Sequence, residues 1–190
     1  MANGRTLIVH GGGEHGHVVA SVARLLDYSV KFTDDSRGTR PDPDDWCVVA
    51  IGDNAVRERR SRGLRNRATL RHPRSVCDAS SCCGPGCFIN AGAVLNAHAM
   101  LGEGVIVNTN AVIEHDCHVG AWCHVAPAAV LCGAVTLGEG VFVGANAVIK
   151  QGLTIAPWTV IGCGAVVVRD ITEPGTYIGV PVARLDPCAT

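Results

Sequence analysis

Aromatic side chains are scarce: three Trp, two Tyr and three Phe make up 4% of 190 residues, although 47% are hydrophobic. A core so poor in rings has to be packed from thin, repeated layers of aliphatic side chains. Net charge is nearly absent, at −1, which removes the electrostatic case for nucleic acid or an anionic membrane as a partner. No apolar run approaches the roughly 20 residues of a spanning helix, and no signal-peptide pattern opens the chain, so a soluble, cytoplasmic protein is expected. Lysine is rare as well. Only two of the 16 basic residues are Lys, and eight of the 14 Arg fall between Arg57 and Arg74. A solvated helix face is the expected reading of that cluster, with a phosphate-facing role as the alternative. Ten cysteines are present, but no pair has the two-residue spacing of a zinc knuckle or redox motif.

What the sequence does have is a ruler. Stepping by six from Cys77 lands on Cys83, Ile89, Leu95, Leu101, Val107, Ile113, Val119 and onward to Ile161 and Val167. All sixteen steps are apolar, without insertion or deletion. Four places beyond each mark is a second series, mostly small (Ser81, Cys87, Ala93, Ala99, Cys117, Cys123, Ala129). On these two series Cys77, Cys83, Cys87, Cys117 and Cys123 serve as compact buried hydrophobes. The place just after a mark is repeatedly Gly or Asn (Gly84, Asn90, Asn96, Gly102, Asn108, Gly120, Gly138), expected at corners where backbone angles are tight. A strict period of six is the mark of a parallel β-helix whose triangular coil takes about eighteen residues. Sixteen hexads make a little over five coils, roughly 25 Å of prism at a strand spacing of about 4.8 Å. Flat faces left over on such a prism favour a symmetric oligomer.

Residues 1–72 read differently. Thr6–His10 is a short strand followed by Gly11-Gly-Gly-Glu-His-Gly16, in which Gly11, Gly13 and Gly16 make a Gly-x-Gly-x-x-Gly loop. Apolar residues at helical spacing run from His17 to Leu26, then come a strand at Ser29–Thr33 and the acidic pair Asp34-Asp35. This is the layout of a dinucleotide-binding fingerprint, with glycines that let backbone amides approach a phosphate. Only the strand Cys47–Ile51, the turn Gly52-Asp-Asn54 and one more helix fit before His72-Pro73. A half-Rossmann-like α/β domain for a single nucleotide is therefore expected, with a β-helix domain and tail over 73–190.

Stepping by eighteen along the ruler tells which residues stack. His115, two places after Ile113, faces outward with Gly133 in its column. An imidazole base about one strand spacing of 4.8 Å from a bare amide suits acyl transfer. Asp116 can orient the imidazole. Asn108, His118 and His124 lie nearby in sequence, and Cys117 sits at an inward place unsuited to carrying an acetyl group.

The register, with Leu101-Gly-Glu-Gly-Val and Leu137-Gly-Glu-Gly-Val, resembles the hexapeptide-repeat acyltransferases. Ile113-Glu-His-Asp-Cys117 with Val119-Gly, together with the glycine loop and Asp-Asp pair, resembles the members that N-acetylate nucleotide-linked 4-amino sugars. Sialic acid O-acetyltransferases share the architecture. The resemblance spans essentially the whole chain and implies a left-handed parallel β-helix, a homotrimer with sites at subunit interfaces, and acetyl-CoA as cosubstrate without a metal. It implies His115 as general base, Asp116 in the place of a frequent Glu, and Asn108 at the sugar near its amine. His124 and the Gly133 amide would hold the thioester carbonyl, and Ala145 and Cys163, one column, would line the coenzyme A groove. Gly11, Gly13, Glu14, His15, Asp34, Asp35 and Gly52 would form the nucleotide-sugar pocket. Glu14 departs from the Gly or Ser common there, and an acid beside a diphosphate repels it unless it points away. The tail Gly175–Ala183 resembles the segment that covers part of the coenzyme A site. The implied acceptor is a UDP-linked 4-amino-4,6-dideoxy sugar, or its dTDP or GDP counterpart. A trimeric zinc carbonic anhydrase using His115, His118 and His124, or a non-catalytic scaffold, are the rivals.

Overall fold

A computed structural model describes residues 5–185; Cys188 lies outside the described residues. The first part is a four-stranded parallel sheet in the order β2-β1-β3-β4. Its strands are β1 (Thr6–His10), β2 (Ser29–Thr33), β3 (Trp46–Val49) and β4 (Asn66–Arg67). Helix α1 (Glu14–Leu25) joins β1 to β2, and α2 (Asn54–Ser61) joins β3 to β4. Helix α1 starts three residues earlier than its apolar spacing suggested, because Gly13 serves as N-cap and Glu14 opens the first turn. Strand β4 has no hydrophobic signature and is held by backbone pairing to Trp46 and Cys47.

The second part is a parallel β-solenoid of two-residue strands in three sheets. The second residue of each strand is a ruler mark and points inward; Ile89, Val107, Ile113, Val125, Leu131, Val143 and Ile149 are all fully buried. Residues eighteen apart are strand partners, as in Ile113 with Leu131 and Val125 with Val143. One sheet has eight strands, seven of them parallel. That exceeds the five coils expected, because Leu70–Arg71 below and Thr176–Ile178 above pair onto the hexads. Six strand spacings make this face roughly 29 Å tall.

The three faces differ in their outward residues. The first carries Leu70, Phe88, Ile106 and His124, and the sheet lobe packs on it: Leu7, Val9, Val19 and Val22 share one buried cluster with Phe88 and Ile106. The second is a column of valines, Val76, Val94, Val112, Val130, Val148 and Val166, none of them fully covered. The third is more polar, with Cys82, Met100, His118, Thr136 and Thr154 all exposed.

Two expectations about the repeat need correction. Left-handed backbone is found at every sixth residue from Gly86 to Gly164, with φ between 55° and 74°. These are three places after each mark, not one. The glycines one place after a mark are needed for close approach: a Cβ on Gly120 would sit 2.7 Å from the Glu139 nitrogen in the next coil, and one on Gly144 2.6 Å from the Cys163 nitrogen. A side chain there would push two coils apart.

The arginine cluster is a solvated face only in part: Arg59, Arg62, Arg65, Arg71 and Arg74 are exposed, and the other three are not. Arg57 is 1% exposed. Arg60 is drawn to Asp35 (2.6 Å), and Arg67 pairs with Glu103 (2.6 Å).

Candidate active site

A coil of eighteen residues travels round the whole triangle, so neighbours in sequence part company. His115 and Asp116 lie on the edge between the valine face and the third face. His118 points out from the third face, and His124 points into the lobe-covered first face. Asn108 follows the first-face strand Ile106–Val107. The polar groups that cluster in the sequence therefore form two sites on one chain.

The first is open. His115 is 60% exposed, and its Nδ1 lies 2.8 Å from Asp116 Oδ2. Asp116 takes the left-handed corner conformation (φ 59°) that an Asp tolerates better than most residues. Its carboxyl is held below the usual range, first by the hydrogen bond from His115. With Nδ1–H donated to the carboxylate, Nε2 keeps a free lone pair. It stands over Gly133, where a Cβ would lie 2.5 Å from Nε2, so only glycine leaves room for the ring. The Gly133 N–H donates to no group among the described residues. A base with a free lone pair and an unpaired amide thus share one column. Cys117 beneath is fully buried and donates its S–H to the Cys132 carbonyl (3.2 Å). Burial raises its thiol pKa, which denies it the thiolate that covalent acetyl transfer needs.

The second is closed. His124 Nδ1 is 3.3 Å from the Gly52 carbonyl, and Nε2 is 3.2 Å from Asn108 Nδ2. Its ring stands edge-on to Phe142 at 5.2 Å and 6.3 Å from His15. Burial, and then the Arg57 charge, lower the pKa of both His15 and His124 to about 4, so both are neutral at pH 7. His124 has no contact with Gly133; the shared hold on a thioester carbonyl expected of them does not form within one chain. Ala145 and Cys163 do stack, Gly164 N–H donating to the Ala145 carbonyl (2.8 Å), and Cys163 is exposed.

Two clefts adjoin this closed group and share Gly52 as a wall. One, about 400 Å³, is lined by all seven residues expected to hold a nucleotide: Gly11, Gly13, Glu14, His15, Asp34, Asp35 and Gly52, with His10. The other, about 520 Å³ and mainly apolar, is lined by His124, Phe142, Trp158, Val160 and the start of α2. A Cβ on Gly16 would collide with the Gly11 carbonyl, whereas one on Gly13 would meet nothing. Gly16 thus packs the loop, and Gly13 leaves backbone open to a ligand. His15 borders this cleft, but its Nε2 is buried and meets no partner among the described residues.

The acidic pair is less available than the sequence suggested. Asp34 accepts from Gly12 N–H and from Ser36 N–H and Oγ–H, which hold its pKa at about 2, the Ser36 hydroxyl contributing most. Asp35 lies 2.7 Å from Arg40 Nε and 2.6 Å from Arg60 Nε. Desolvation works against its charged form, but these two guanidinium groups prevail and lower its pKa. Glu14 is exposed at the rim. Among the described residues no group of three metal-ligating side chains is gathered, and no helix is long and apolar enough to cross a membrane.

A parallel hexapeptide solenoid bearing a nucleotide-sized lobe and an outward His-Asp pair over a bare amide is the arrangement expected of an acyltransferase. No family model matches the chain, but solved structures do. PerB from Caulobacter crescentus, in complex with CoA and GDP-perosamine, is 32% identical, with a TM-score of 0.87 over 95% of this chain and 97% of that one. The acetyltransferase domain of PglB from Neisseria gonorrhoeae, in complex with acetyl coenzyme A, is 33% identical, with a TM-score of 0.88 over 96% and 100%. WeeI from Acinetobacter baumannii, at 21% identity and a TM-score of 0.84 over 95% and 100%, shares the fold. The chain belongs to the hexapeptide-repeat acetyltransferases of nucleotide-linked amino sugars, and it is an acetyl-CoA-dependent enzyme.

Proposed function

We propose that the enzyme N-acetylates the C4 amine of a nucleotide-linked 4-amino-4,6-dideoxy sugar by direct transfer in a ternary complex. UDP is the carrier expected first; GDP, bound by the Caulobacter protein, and dTDP are its competitors. The observation that carries this reading is His115 Nε2, its lone pair free, standing over the unpaired amide of Gly133. Acetyl-CoA supplies the thioester acetyl group, along the column of Ala145 and Cys163. His115 takes the amine proton as the nitrogen attacks, and Asp116 steadies the imidazolium. The Gly133 N–H faces the oxygen that gains charge. As the new C–N bond forms and the C–S bond breaks, the proton passes from His115 to the departing thiolate.

The nucleotide belongs in the glycine-loop cleft, where Gly13 offers open backbone. Asn108 and His124 border the sugar end. Because one chain keeps His115 a full prism face away from that end, the reading places each active site between two copies in a homotrimer of left-handed prisms. The valine face, an unpolar column beside the His115 edge, supports it: an exposed apolar face of this kind is covered by a neighbour. The test is thiol release from acetyl-CoA with UDP-, dTDP- and GDP-linked 4-amino sugars and with free sialic acid. Turnover with an amino sugar is expected. Turnover with sialic acid alone would move the acceptor from nitrogen to oxygen and overturn the proposal.

A further inference from the structure

Arg57 has no part in the chemistry described above, yet it is among the most buried residues of the molecule, at 1% exposure. Among the described residues no carboxylate pairs with it. Its Nε–H donates to the Gly104 carbonyl (2.8 Å), and Nη1 to the carbonyls of Ile51 (3.0 Å) and Gly52 (3.2 Å). Nη2 donates to Asn54 Oδ1 (2.9 Å) and to the carbonyls of Trp122 (2.6 Å) and Cys123 (3.2 Å). Ile51, Gly52 and Asn54 belong to the lobe; Gly104, Trp122 and Cys123 belong to two successive coils of the prism. A guanidinium suits this work because its donors diverge in a fixed plane; an ammonium cannot reach so many acceptors at once. Even so, burying a cation among carbonyls alone is expensive, and packing two apolar surfaces does not require it.

What Arg57 holds is informative. The Gly52 carbonyl, on the wall common to both clefts, accepts from Arg57 and also from His124 Nδ1–H. His124 Nε2 must then be a lone pair, and it accepts from Asn108 Nδ2. Asn108 cannot turn its amide round, because its Oδ1 already accepts from Thr109 N–H (2.8 Å) and Asn90 Nδ2 (3.2 Å). Every donor in this chain has one direction.

We infer that Arg57 is a positioning residue: it fixes the Gly52 loop as the shared wall of the two clefts and, through the Gly52 carbonyl, keeps an acceptor on His124 Nδ1–H, while Asn108 keeps Nε2 bare. The occupants of the clefts are those of the acetyltransferase reading above, on which the kinetic half of this inference rests. The burial and the charge that keep His124 neutral fit the same picture.

Nitrogen-15 NMR of the histidine rings tests it without any turnover. The wild-type protein should show His124 protonated at Nδ1 and bare at Nε2; a proton on Nε2 would overturn the inference whatever the enzyme acetylates. In Arg57→Met and Arg57→Lys the Nδ1–H should lose its acceptor, read as a shift of that ring proton and nitrogen from their wild-type positions, while Nε2 stays bare. Their kcat/KM for the nucleotide sugar should fall by about 10²-fold, the size of a loss from misplacing a substrate by about 1 Å, while acetyl-CoA affinity holds. Lower melting temperatures with an unchanged His124 Nδ1–H signal and unchanged kcat/KM would show Arg57 to be a structural clamp only, and contradict the inference. Should Arg57→Met fail to fold, the wild-type spectrum and Arg57→Lys decide. Absence of turnover in the wild type would count against the enzyme reading alone.

Discussion

One coil of the prism carries two histidines built to opposite specifications. His115 is exposed, has one nitrogen on Asp116 and leaves the other free over a glycine. His124 is buried, has both nitrogens occupied and is held neutral by its surroundings. A group that must take up and release a proton needs a free lone pair and room. A group that must stay in one place needs partners on every side. On the proposed reading the difference separates a chemical edge from an aligning junction, although only eight residues divide them in sequence.

The sharpest way to break that contrast is to remove each ring. His115→Ala should lower turnover by about 10²–10⁴-fold, the usual weight of a general base, and leave the melting temperature unchanged because the ring packs against little. His124→Ala should lower both turnover and stability, the latter by about 1–3 kcal/mol, because it strands the Asn108 amide. Denaturation together with thiol-release kinetics reads both. If His124→Ala cost activity but no stability, the junction would not be the closed network described.

Glycines sharpen the same distinction. Gly133→Ala puts a methyl where the His115 ring stands, so turnover should drop by about 10²-fold through a misplaced base with little loss of stability. Gly120→Ala meets the backbone of the next coil at 2.7 Å. It should lower stability by about 1–3 kcal/mol, the range for overpacking, and leave the pH–rate profile of the surviving enzyme unaltered. The reverse pattern would mean that the two glycine columns had been assigned the wrong roles.

Acid acts on the stability of the junction as a whole. The folded pKa of His15 and of His124, about 4, lies below the ordinary 6.5. The unfolded chain therefore binds more protons between those values, and their contribution is present above pH 6.5 and lost as pH falls towards 4. Urea denaturation across that window should show a loss on the order of a few kcal/mol. His124→Ala should flatten part of it.

Much of this was legible in the sequence. The sixteen-step register foretold the inward residues because a hexad solenoid repeats its geometry without variation, and stepping by eighteen put Gly133 under His115. The glycine loop, Asp34-Asp35 and the Gly52 turn marked seven of the ten residues that line one cleft. The Arg57 clamp was not foreseen, since its partners are mostly backbone carbonyls and a carbonyl at Gly104 or Trp122 has no signature in the chain. A signal was there: Asn54, Arg57 and Ser61 share one helical face, and all three are buried. The corner residues were misplaced for a similar reason. Left-handed φ at Trp122, Ala128 and Trp158 is imposed by the coil and has no glycine to announce it. Nearness in sequence also misled, joining His115 to His124 across a full face of the prism.

The central claim is that the chemical edge of one copy works on the aligning junction of another. Mixing tests it most directly: His115→Ala and His124→Ala chains, each inactive alone, are unfolded together, refolded and assayed for thiol release. In randomly mixed trimers about a quarter of the sites pair an intact edge with an intact junction from a different chain, so activity should return to about that fraction of wild type. No recovery from chains shown by mass spectrometry to have mixed would contradict the account and place the whole site within one chain.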